Sequence, residues 1–393
     1  MKFPTIQILP SCQTRFANGY PWLYANEIEQ SAATQKISPG QIVFVAYQGT
    51  CLGLGYYNRH SLISFRLLSR DPETIFDTDY FMERLQSALQ LRNRFYLSPY
   101  YRLVHAEADG LPGLIIDRFD SVLVLQINTQ GMEQLKTPLL AAIQIVFAPT
   151  TILLKQDSSV RALEQLPIAE PEMIGEALTH LTVIENHLLF KVDLTSTQKT
   201  GWFYDHRDNR ILINTLAKGK TVLDYFCYSG GFSLQAAKAE ATQVIGIDRS
   251  EIAIQNAKAS ATLNGLNDRC EFICRDVFED MEIRIIKKEQ YNLVILDPPA
   301  FIKSKKDFKV GLKGYEKLLT KAIQLVTKEG LLFIASCSYH LKENDLHYCL
   351  NRALSKNKRE GRILRSLGAG FDHPQHPLLE ESRYLKGFLV YLA

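Results

Sequence analysis

The sequence predicts an α/β fold: a C-terminal Rossmann-like sheet, preceded by a small N-terminal β-barrel and a central α/β domain. An apolar run ends at Asp224 and continues through a loop with Gly230 and Gly231 into a helical stretch. That order of strand, tight turn and helix opens a doubly wound parallel sheet. A second apolar strand ends at Asp248, and a later one, Tyr291–Leu296, is almost wholly apolar, as buried parallel strands are.

The length and composition indicate a multidomain globular protein. A chain of 393 residues is long enough for two or three domains, which we place at residues 1–70, 71–182 and 183–393. Hydrophobic and charged fractions of 46% and 22% are typical of soluble proteins. No apolar run of about 18 residues predicts a membrane span, and the alternating N-terminus is unlike a signal peptide. Seven cysteines without a C-x-x-C pair predict reduced thiols, a cytoplasmic protein and no metal site.

The N-terminal 70 residues combine positive charge with aromatic side chains. They carry six basic and two acidic residues, and turn signals such as Asn18-Gly19 separate short apolar runs, which indicates a small β module. Such a module can bind RNA by phosphate contact and stacking, although most aromatics of a small barrel fill its core. The candidate RNA contacts here are Arg15, Trp22 and Arg59.

The middle of the chain predicts an α/β domain to which we assign no chemistry. A helix is expected at 78–95 and another at 131–146, with strands at 114–117, 122–127 and 151–155. The Gly-Leu-Pro-Gly turn at 110–113 is explained by a hairpin, because glycine and proline fix such turns. We expect this domain to act as a spacer.

Acidic residues follow three consecutive strands of the predicted sheet, at Asp224, Asp248 and Asp276. An acid after the second strand accepts the hydroxyls of a ribose, and the other two suit an ammonium group and an exocyclic amine. No dinucleotide or phosphate-loop pattern occurs there. Gly230 and Gly231 would let a ligand approach the backbone closely. The set favours S-adenosylmethionine, although each acid alone could simply cap a helix. The residues predicted to bind this cofactor are Asp224, Phe226, Tyr228, Gly230, Gly231, Asp248, Arg249, Asp276 and Val277.

A rigid Asp297-Pro298-Pro299 segment ends the strand 291–296. At the carboxyl end of a strand it faces the crevice in which open α/β sheets bind ligands. Phe301 could stack on a base flipped out of its helix, and Asp297 could hydrogen-bond the base edge. The lysines that follow could form a solvated face. Beside a rigid segment that can hold a base, however, contact with phosphates is favoured. These lysines are Lys303, Lys305, Lys306, Lys309, Lys313 and Lys317.

Cys337 follows a predicted strand at 331–335, which we expect to neighbour the strand that ends at Asp297. Cytosine C5 is not nucleophilic, but a thiolate that adds to C6 turns the ring into an enamine whose C5 can accept a methyl group. Cys337 is therefore the predicted nucleophile. The alternative is an inert core thiol, which is the more common role of a cysteine at a strand end.

A polar and aromatic cluster at 198–207 precedes the cofactor sheet. A loop here could lie over the cofactor or the target base, and Lys199 is a candidate RNA contact. Asp205 and Arg207 could equally cap and pair at the start of a helix at 208–216, and the sequence leaves both open.

The stretch from Asp224 to Asp276 resembles motifs I to III of class I methyltransferases. The whole chain is similar to the PUA-containing RNA cytosine-5 methyltransferases that act on bacterial 23S ribosomal RNA. The matching segments are Asp109-Gly110-Leu111-Pro112-Gly113, Lys199-Thr200-Gly201, Tyr228-Ser229-Gly230-Gly231-Phe232, Asp297-Pro298-Pro299, Ser336-Cys337-Ser338, Asp372-His373-Pro374 and Tyr384-Leu385-Lys386-Gly387-Phe388.

This resemblance implies that Cys337 is the nucleophile, that Asp297 is the base-edge partner, and that the acids and glycines hold S-adenosylmethionine. It implies a large-subunit ribosomal RNA partner, free or partly assembled, with no membrane partner, and leaves a homodimer open. The second cysteine of many RNA cytosine methyltransferases is absent after Pro299, so the group that removes the C5 proton is unassigned. Two alternatives remain: methylation of an exocyclic amine (guanine N2 or adenine N6), or a non-catalytic RNA-binding or ribosome-assembly role.

Overall fold

The protein is described by a computed structural model that covers residues 3–194 and 201–393. The chain divides into two compact units. The first contains the chain up to Thr179 and gains the later segment Phe371–Ser382; the second runs from His180 and contains Phe203–Gly370 and Arg383–Ala393. The limits at 70 and 182 stay predictions. Within the described part of the chain, no helix has both the length and the apolarity to cross a membrane.

The first unit begins with a five-stranded sheet ordered β1-β3-β4-β5-β2, in which β1 pairs parallel to β3 and the other pairs are antiparallel. Alternation along β3 turns Val43 and Val45 inward, where they pack with Phe16 and Phe65. The predicted small N-terminal β domain is confirmed. Its elements are β1 (Thr5–Gln7), α1 (Pro10–Ala17), β2 (Trp22–Tyr24), β3 (Gln41–Tyr47), β4 (Thr50–Tyr57) and β5 (Ile63–Ser69).

A second sheet in this unit has the order β10-β9-β8-β7-β6, with one parallel pair, β8 and β9. Helices α2 and α4 bury their apolar faces in its core. The predicted helix 131–146 is split at Leu135 into α3 and α4. The elements are α2 (Thr78–Asn93), β6 (Tyr100–His105), β7 (Leu114–Phe119), β8 (Val122–Ile127), α3 (Gln130–Gln134), α4 (Lys136–Phe147), β9 (Thr151–Leu154), α5 (Val160–Leu163) and β10 (Glu172–Gly175).

A buried polar joint connects the two sheets of the first unit. The Tyr56 hydroxyl lies 2.9 Å from both the Pro112 carbonyl oxygen, to which it donates, and Thr129 Oγ1. A Cβ on Gly131 would lie 1.9 Å from Tyr56 Cγ, so only glycine allows this approach. The Gly-Leu-Pro-Gly turn therefore does more than close a hairpin, because Pro112 also accepts a hydrogen bond from the first domain.

The second unit is built on a seven-stranded sheet of order β15-β14-β13-β16-β17-β19-β18, parallel except for β19, which is antiparallel to both neighbours. The predicted Rossmann-like sheet is confirmed. Its strand order reverses between β13 and β16, and such reversals create the ligand crevice of open α/β sheets. The elements are β11 (His180–Glu185), β12 (Leu188–Asp193), α6 (Arg207–Leu216), β13 (Thr221–Tyr225), α7 (Gly231–Lys238), β14 (Gln243–Asp248), α8 (Glu251–Leu263), β15 (Cys270–Cys274), α9 (Val277–Ile286), β16 (Tyr291–Leu296), α10 (Phe308–Leu325), β17 (Val326–Ser336), α11 (Glu343–Lys356), β18 (Gly361–Leu367) and β19 (Lys386–Leu392).

Helix α10 begins at Phe308 and contains two glycines in its first two turns, Gly311 and Gly314. Glycine lowers helix propensity. The structure gives a packing reason for both glycines. A Cβ on Gly311 would lie 2.7 Å from the Phe301 carbonyl oxygen, and one on Gly314 would lie 3.1 Å from the Phe301 ring.

Replacing Tyr56 by phenylalanine should destabilise the protein by about 1–3 kcal/mol, because the buried Pro112 carbonyl loses its donor. Denaturant unfolding measures this change. Tyr47→Phe, on the neighbouring strand at a half-buried position, is the matched control and should alter stability by a few tenths of a kcal/mol at most. Equal effects of the two substitutions would contradict the role given to the Tyr56 hydroxyl.

Candidate active site

The crevice, the cleft at the carboxyl ends of β13 and β16, contains a fully buried carboxyl group. Asp224 Oδ2 accepts hydrogen bonds from the backbone N–H and the hydroxyl of Ser233, at 3.0 and 2.6 Å. Its Oδ1 is also buried and has no donor among the described residues. Burial raises the pKa of Asp224 to about 7, with a further contribution from the charge of Asp297. A ligand ammonium group would supply the missing donor, which fits the predicted role of Asp224.

The loop after β13 is held in left-handed backbone conformations. Phe226, Tyr228 and Gly230 have φ values of 63°, 49° and 81°, which are costly for the two residues with side chains. This path directs the Tyr228 N–H to Asp248 Oδ2, 3.0 Å away. A Cβ on Gly231 would lie 2.6 Å from Arg210 Nε, and the role of Gly231 in binding the cofactor stays a prediction.

Asp248 and Asp276 follow β14 and β15 as predicted. The two oxygens of Asp248 each accept one backbone N–H, from Tyr228 and Ser250, and a carboxylate oxygen can accept more than one hydrogen bond. Asp276 Oδ1 accepts from Phe278 and Glu279 at 2.9 and 3.2 Å. One oxygen of Asp276 thus caps α9, which was the alternative to ligand binding. The neighbouring predictions differ in exposure: the Val277 side chain is buried in the core, whereas that of Arg249 is exposed.

His206, which the sequence analysis did not assign, contacts the predicted base-edge residue. Its Nε2 lies 3.1 Å from Asp297 Oδ1, and its Nδ1 lies 3.1 Å from Asn209 Nδ2. The Asn209 amide also donates to the Gly368 carbonyl, so Nδ1 is the acceptor and Nε2–H donates to Asp297. Because His206 is buried, it fixes one oxygen of Asp297, whose side chain is 25% exposed.

Cys337 lies beyond the end of β17, the strand that pairs in parallel with β16. The register sets Leu296 opposite Ile334, so Asp297 follows one strand and Cys337 follows its direct neighbour. This arrangement confirms the predicted adjacency of the two strands. The Cys337 side chain is half-buried and packs against the apolar cluster that contains Phe333 and Leu385.

A buried lysine accompanies Cys337. Antiparallel pairing places Lys386, the first residue of β19, opposite Ser336, and its ammonium group donates to the carbonyls of Ser338 and Leu341. Burial lowers the pKa of Lys386 to about 8, and the charge of a Cys337 thiolate opposes that effect. A cation at this position would in turn stabilise the thiolate of Cys337.

Phe301 is half-buried and packs within the second unit. Its ring centroid lies 4.8 Å from that of Tyr315 and 6.5 Å from that of Phe226. The residue is only partly buried, and stacking on a base stays a prediction. Lys303 is exposed, and its role also stays a prediction.

Several residues of the 198–207 cluster have structural partners. Arg207 and Arg210 lie 3.6 and 2.7 Å from the carboxylate of buried Glu185, which supports the pairing alternative. Asp205 Oδ2 accepts a hydrogen bond from the Tyr384 hydroxyl at 2.6 Å, so the cluster contacts the resembling segment 384–388. Lys199 lies outside the described residues.

The predicted RNA contacts of the first unit differ in availability. Trp22 is 7% exposed, and its indole N–H donates to Glu107 at 2.9 Å. Arg15 makes a bidentate pair with Glu27 at 2.8 Å and stacks over Tyr20. Arg59 is exposed and donates to the Gln35 carbonyl. The Trp22 side chain is therefore largely buried, whereas that of Arg59 is accessible, and all three RNA contacts stay predictions.

His206 and Lys386 are the site residues that sequence reasoning missed. His206 lies in the cluster 198–207, where the sequence suggested roles for Asp205 and Arg207. Lys386 lies in the segment 384–388, for which the sequence showed only the resemblance. A histidine directly before a predicted helix carries no signal of its partner, because Asp297 lies 91 positions further along the chain.

Comparisons with known proteins agree with this architecture. Residues 110–354 match the family model described as S-adenosylmethionine-dependent methyltransferase, and residues 6–70 match a PUA-like domain. The chain is 33% identical over 380 residues to "Ribosomal RNA large subunit methyltransferase I" of Photobacterium profundum, covering 95% of each chain. Its identity to the protein of the same name from Escherichia coli K12 is 31% over 375 residues, covering 94% of each.

Solved structures show the same fold. A putative S-adenosylmethionine-dependent methyltransferase from Streptococcus mutans superposes with a TM-score of 0.83 at 21% identity, covering 99% of this chain and 100% of the other. A putative methyltransferase complexed with SAH gives a TM-score of 0.85 at 22% identity, with full coverage of both chains. The chain therefore belongs to the family of S-adenosylmethionine-dependent methyltransferases that includes the ribosomal RNA large subunit methyltransferases I.

Proposed function

We propose that the protein methylates C5 of a cytosine in large-subunit ribosomal RNA, through a covalent bond between Cys337 and C6 of the base. The observation that carries this proposal is the position of Cys337, at the end of the strand next to the one that ends at Asp297. The names of the relatives, which specify large-subunit ribosomal RNA, support the choice of substrate.

S-adenosylmethionine, the cofactor of the family, supplies an electrophilic methyl group when bound. The residues of the crevice fit it: Asp224 offers a buried acceptor without a donor, and Asp248 lies where ribose hydroxyls are accepted in such sheets. The left-handed loop from Phe226 to Gly230 connects the two positions. We therefore assign the ammonium group to Asp224 and the ribose to Asp248, with Asp276 next to the adenine.

The base-binding half of the site is formed by the segment after β16. Asp297, fixed through one oxygen by His206, can bond the Watson–Crick edge of a flipped cytosine with the other. The exposed part of the Phe301 ring can contact the base face. His206 acts through Asp297 and is therefore a positioning residue.

In the proposed reaction the thiolate of Cys337 attacks C6 of cytosine, and a carbon–sulfur bond forms as the C5–C6 double bond opens. C5 then takes the methyl group. Loss of the C5 proton and departure of the thiolate restore the aromatic ring. Negative charge develops on N3 and O2 during the attack, and a proton shared between Asp297 and N3 would stabilise it. The acceptor of the C5 proton is left unassigned.

Two other functions would use parts of the same site. A methyltransferase for an exocyclic amine needs Asp297 and the cofactor residues but no thiol at Cys337. A non-catalytic RNA-binding or assembly protein needs neither the cofactor residues nor the thiol of Cys337. Mass spectrometry of the modified nucleoside separates carbon from nitrogen methylation, and a cofactor titration tests the non-catalytic alternative.

Cys337→Ala should abolish methyl transfer while cofactor and RNA binding are preserved, because only the step at C6 needs the thiol. Wild-type protein should form a covalent complex with RNA that contains 5-fluorocytosine, since the fluorine at C5 cannot leave as a proton. The variant should form none, as denaturing gels would record. Cys349→Ala, a buried thiol elsewhere in the unit, is the control. Methylation by Cys337→Ala at the wild-type rate would favour the exocyclic-amine alternative.

Asp248→Ala should weaken S-adenosylmethionine binding by about 1.5–3 kcal/mol, because a charge-assisted acceptor for the ribose is lost. Titration calorimetry measures the affinity. Asp248→Asn keeps an acceptor and should lose less, whereas Asp268→Ala, at an exposed position, should bind as wild type does. An unchanged affinity of Asp248→Ala would remove this residue from the cofactor site.

Lys386→Met should lower the methylation rate about tenfold at neutral pH, as expected for losing an opposite charge beside the nucleophile. Burial lowers the pKa of Lys386 to about 8, so the wild-type cation is present below that pH and lost above it. The ratio of wild-type to variant rates should therefore be constant up to about pH 8 and decrease above it. Lys258→Met, an exposed position on α8, should give a ratio near one. A constant ratio across the whole range would indicate a purely structural role for Lys386.

A further inference from the structure

Helix α10 carries lysines at every fourth position: Lys309, Lys313, Lys317 and Lys321. We call these four residues the lysine ridge. Residues four apart lie on the same face of a helix, and the ridge is exposed except for Lys321, which is half-buried. The opposite face of α10 is buried in the core through Tyr315, Leu318, Leu319 and Ala322.

The ridge is electrostatically costly for the helix. Like charges four residues apart repel one another, and α10 contains one acidic residue, Glu316. That carboxylate is occupied by α11, since it lies 3.1 Å from Arg352 and 2.5 Å from Lys356. Of the ridge residues, Lys321 pairs with Glu282 at 3.0 Å. Repulsion among the lysines is thus balanced within the helix only in part, which favours an external anion.

The ridge borders a groove between α10 and α11 with a volume of about 510 Å³. Lys313, Lys317 and Lys321 line it from one side, and Arg352 and Lys356 from the other. Five basic side chains and one carboxylate, that of Glu316, therefore face this groove. Lys317 also lies over the Phe278 ring of α9, 4.9 Å from its centroid.

The amino-terminal end of the ridge lies beside the candidate base-binding segment. Gly311 and Gly314 of α10 allow the Phe301 backbone and ring to pack closely on the first turns of the helix. Phe301 belongs to the segment that follows Asp297, so the basic series starts at the crevice and leads away from it.

We propose that the lysine ridge is a track for the sugar–phosphate backbone of a single-stranded RNA segment that enters the crevice. With a rise of about 1.5 Å per residue, successive lysines lie about 6 Å apart along the helix. This spacing is comparable with that of consecutive phosphates in an extended strand. This inference rests on the proposed function, in which RNA is the substrate. It adds that the RNA is held on α10 and that the bound segment is single-stranded.

The test measures binding of a fluorescently labelled, unstructured single-stranded RNA oligonucleotide over a series of salt concentrations. Each phosphate contact contributes about 0.7 to the slope of log affinity against log salt for single strands. K309Q/K313Q/K317Q should therefore reduce the slope by about 2. It should unfold at the same temperature as wild type or slightly higher, because like-charge repulsion in α10 is relieved.

A matched triple variant, K287Q/K328Q/K358Q, removes the same charge from exposed positions on other elements of the second unit. It should keep a slope near that of the wild type. Equal slope changes in the two variants would mean that only net charge matters and would overturn the track, as would a wild-type slope in K309Q/K313Q/K317Q.

Binding is measured in the Cys337→Ala background, where no methylation is expected, so the outcome is independent of the chemistry. A nitrogen-methylated product would overturn the proposed C5 reaction and leave the track standing. A wild-type salt slope in K309Q/K313Q/K317Q, together with C5 methylation by the wild-type protein, would overturn the track and leave the proposed C5 reaction standing.

Discussion

The second unit is organised by the need to bury negative charge where its strand order reverses. A buried carboxylate is costly unless it is hydrogen-bonded, and Asp224 and Asp297 each have a partner from a neighbouring helical segment. Ser233 of α7 donates hydrogen bonds to Asp224, and His206, directly before α6, donates one to Asp297. The same contacts that compensate for lost hydration therefore anchor α6 and α7 against the sheet. Asp224 Oδ1, which has no donor among the described residues, can accept a hydrogen bond from a cationic ligand group.

The antiparallel direction of β19 has a chemical consequence at the other side of the crevice. A strand that runs antiparallel to β17 begins where β17 ends, so its first residue, Lys386, lies opposite Ser336. A parallel strand at that place would put its last residue there instead. The topology thus brings a basic residue from the C-terminal end of the chain to the thiol of Cys337, and hydrogen bonds to two carbonyls of the following turn hold it in place.

Two sets of basic residues differ in their partners. In the first unit, Arg66 lies 2.6 Å from Glu107 and Arg92 pairs with Asp109, so these guanidinium groups stabilise the polar joints of the fold. The same requirement buries Trp22, whose N–H also needs Glu107. On α10 the lysines have few carboxylates nearby. A cation whose charge is balanced only in part within the protein is available to an external anion, and this is the basis for proposing the lysine ridge as a phosphate-binding surface.

The sequence by itself determined the kind of sheet and most of its chemical residues. Apolar runs that end in Asp224, Asp248 and Asp297 predicted parallel strands with acids at one edge, because hydrophobic pattern and strand ends are local properties of the chain. It also predicted that the strand before Cys337 neighbours the one before Asp297, which the β16–β17 register confirms.

Only the tertiary structure decided which polar groups satisfy one another. Asp297 and His206 lie 91 positions apart, Lys386 and Ser338 lie 48 apart, and Trp22 and Glu107 lie 85 apart. Hydrophobic periodicity fixes the type and facing of an element, but it does not encode which distant donor reaches a given acceptor. The pairing of donors and acceptors depends on how separate segments of the chain pack. The close approach of the Arg210 side chain to Gly231 depends on the same packing.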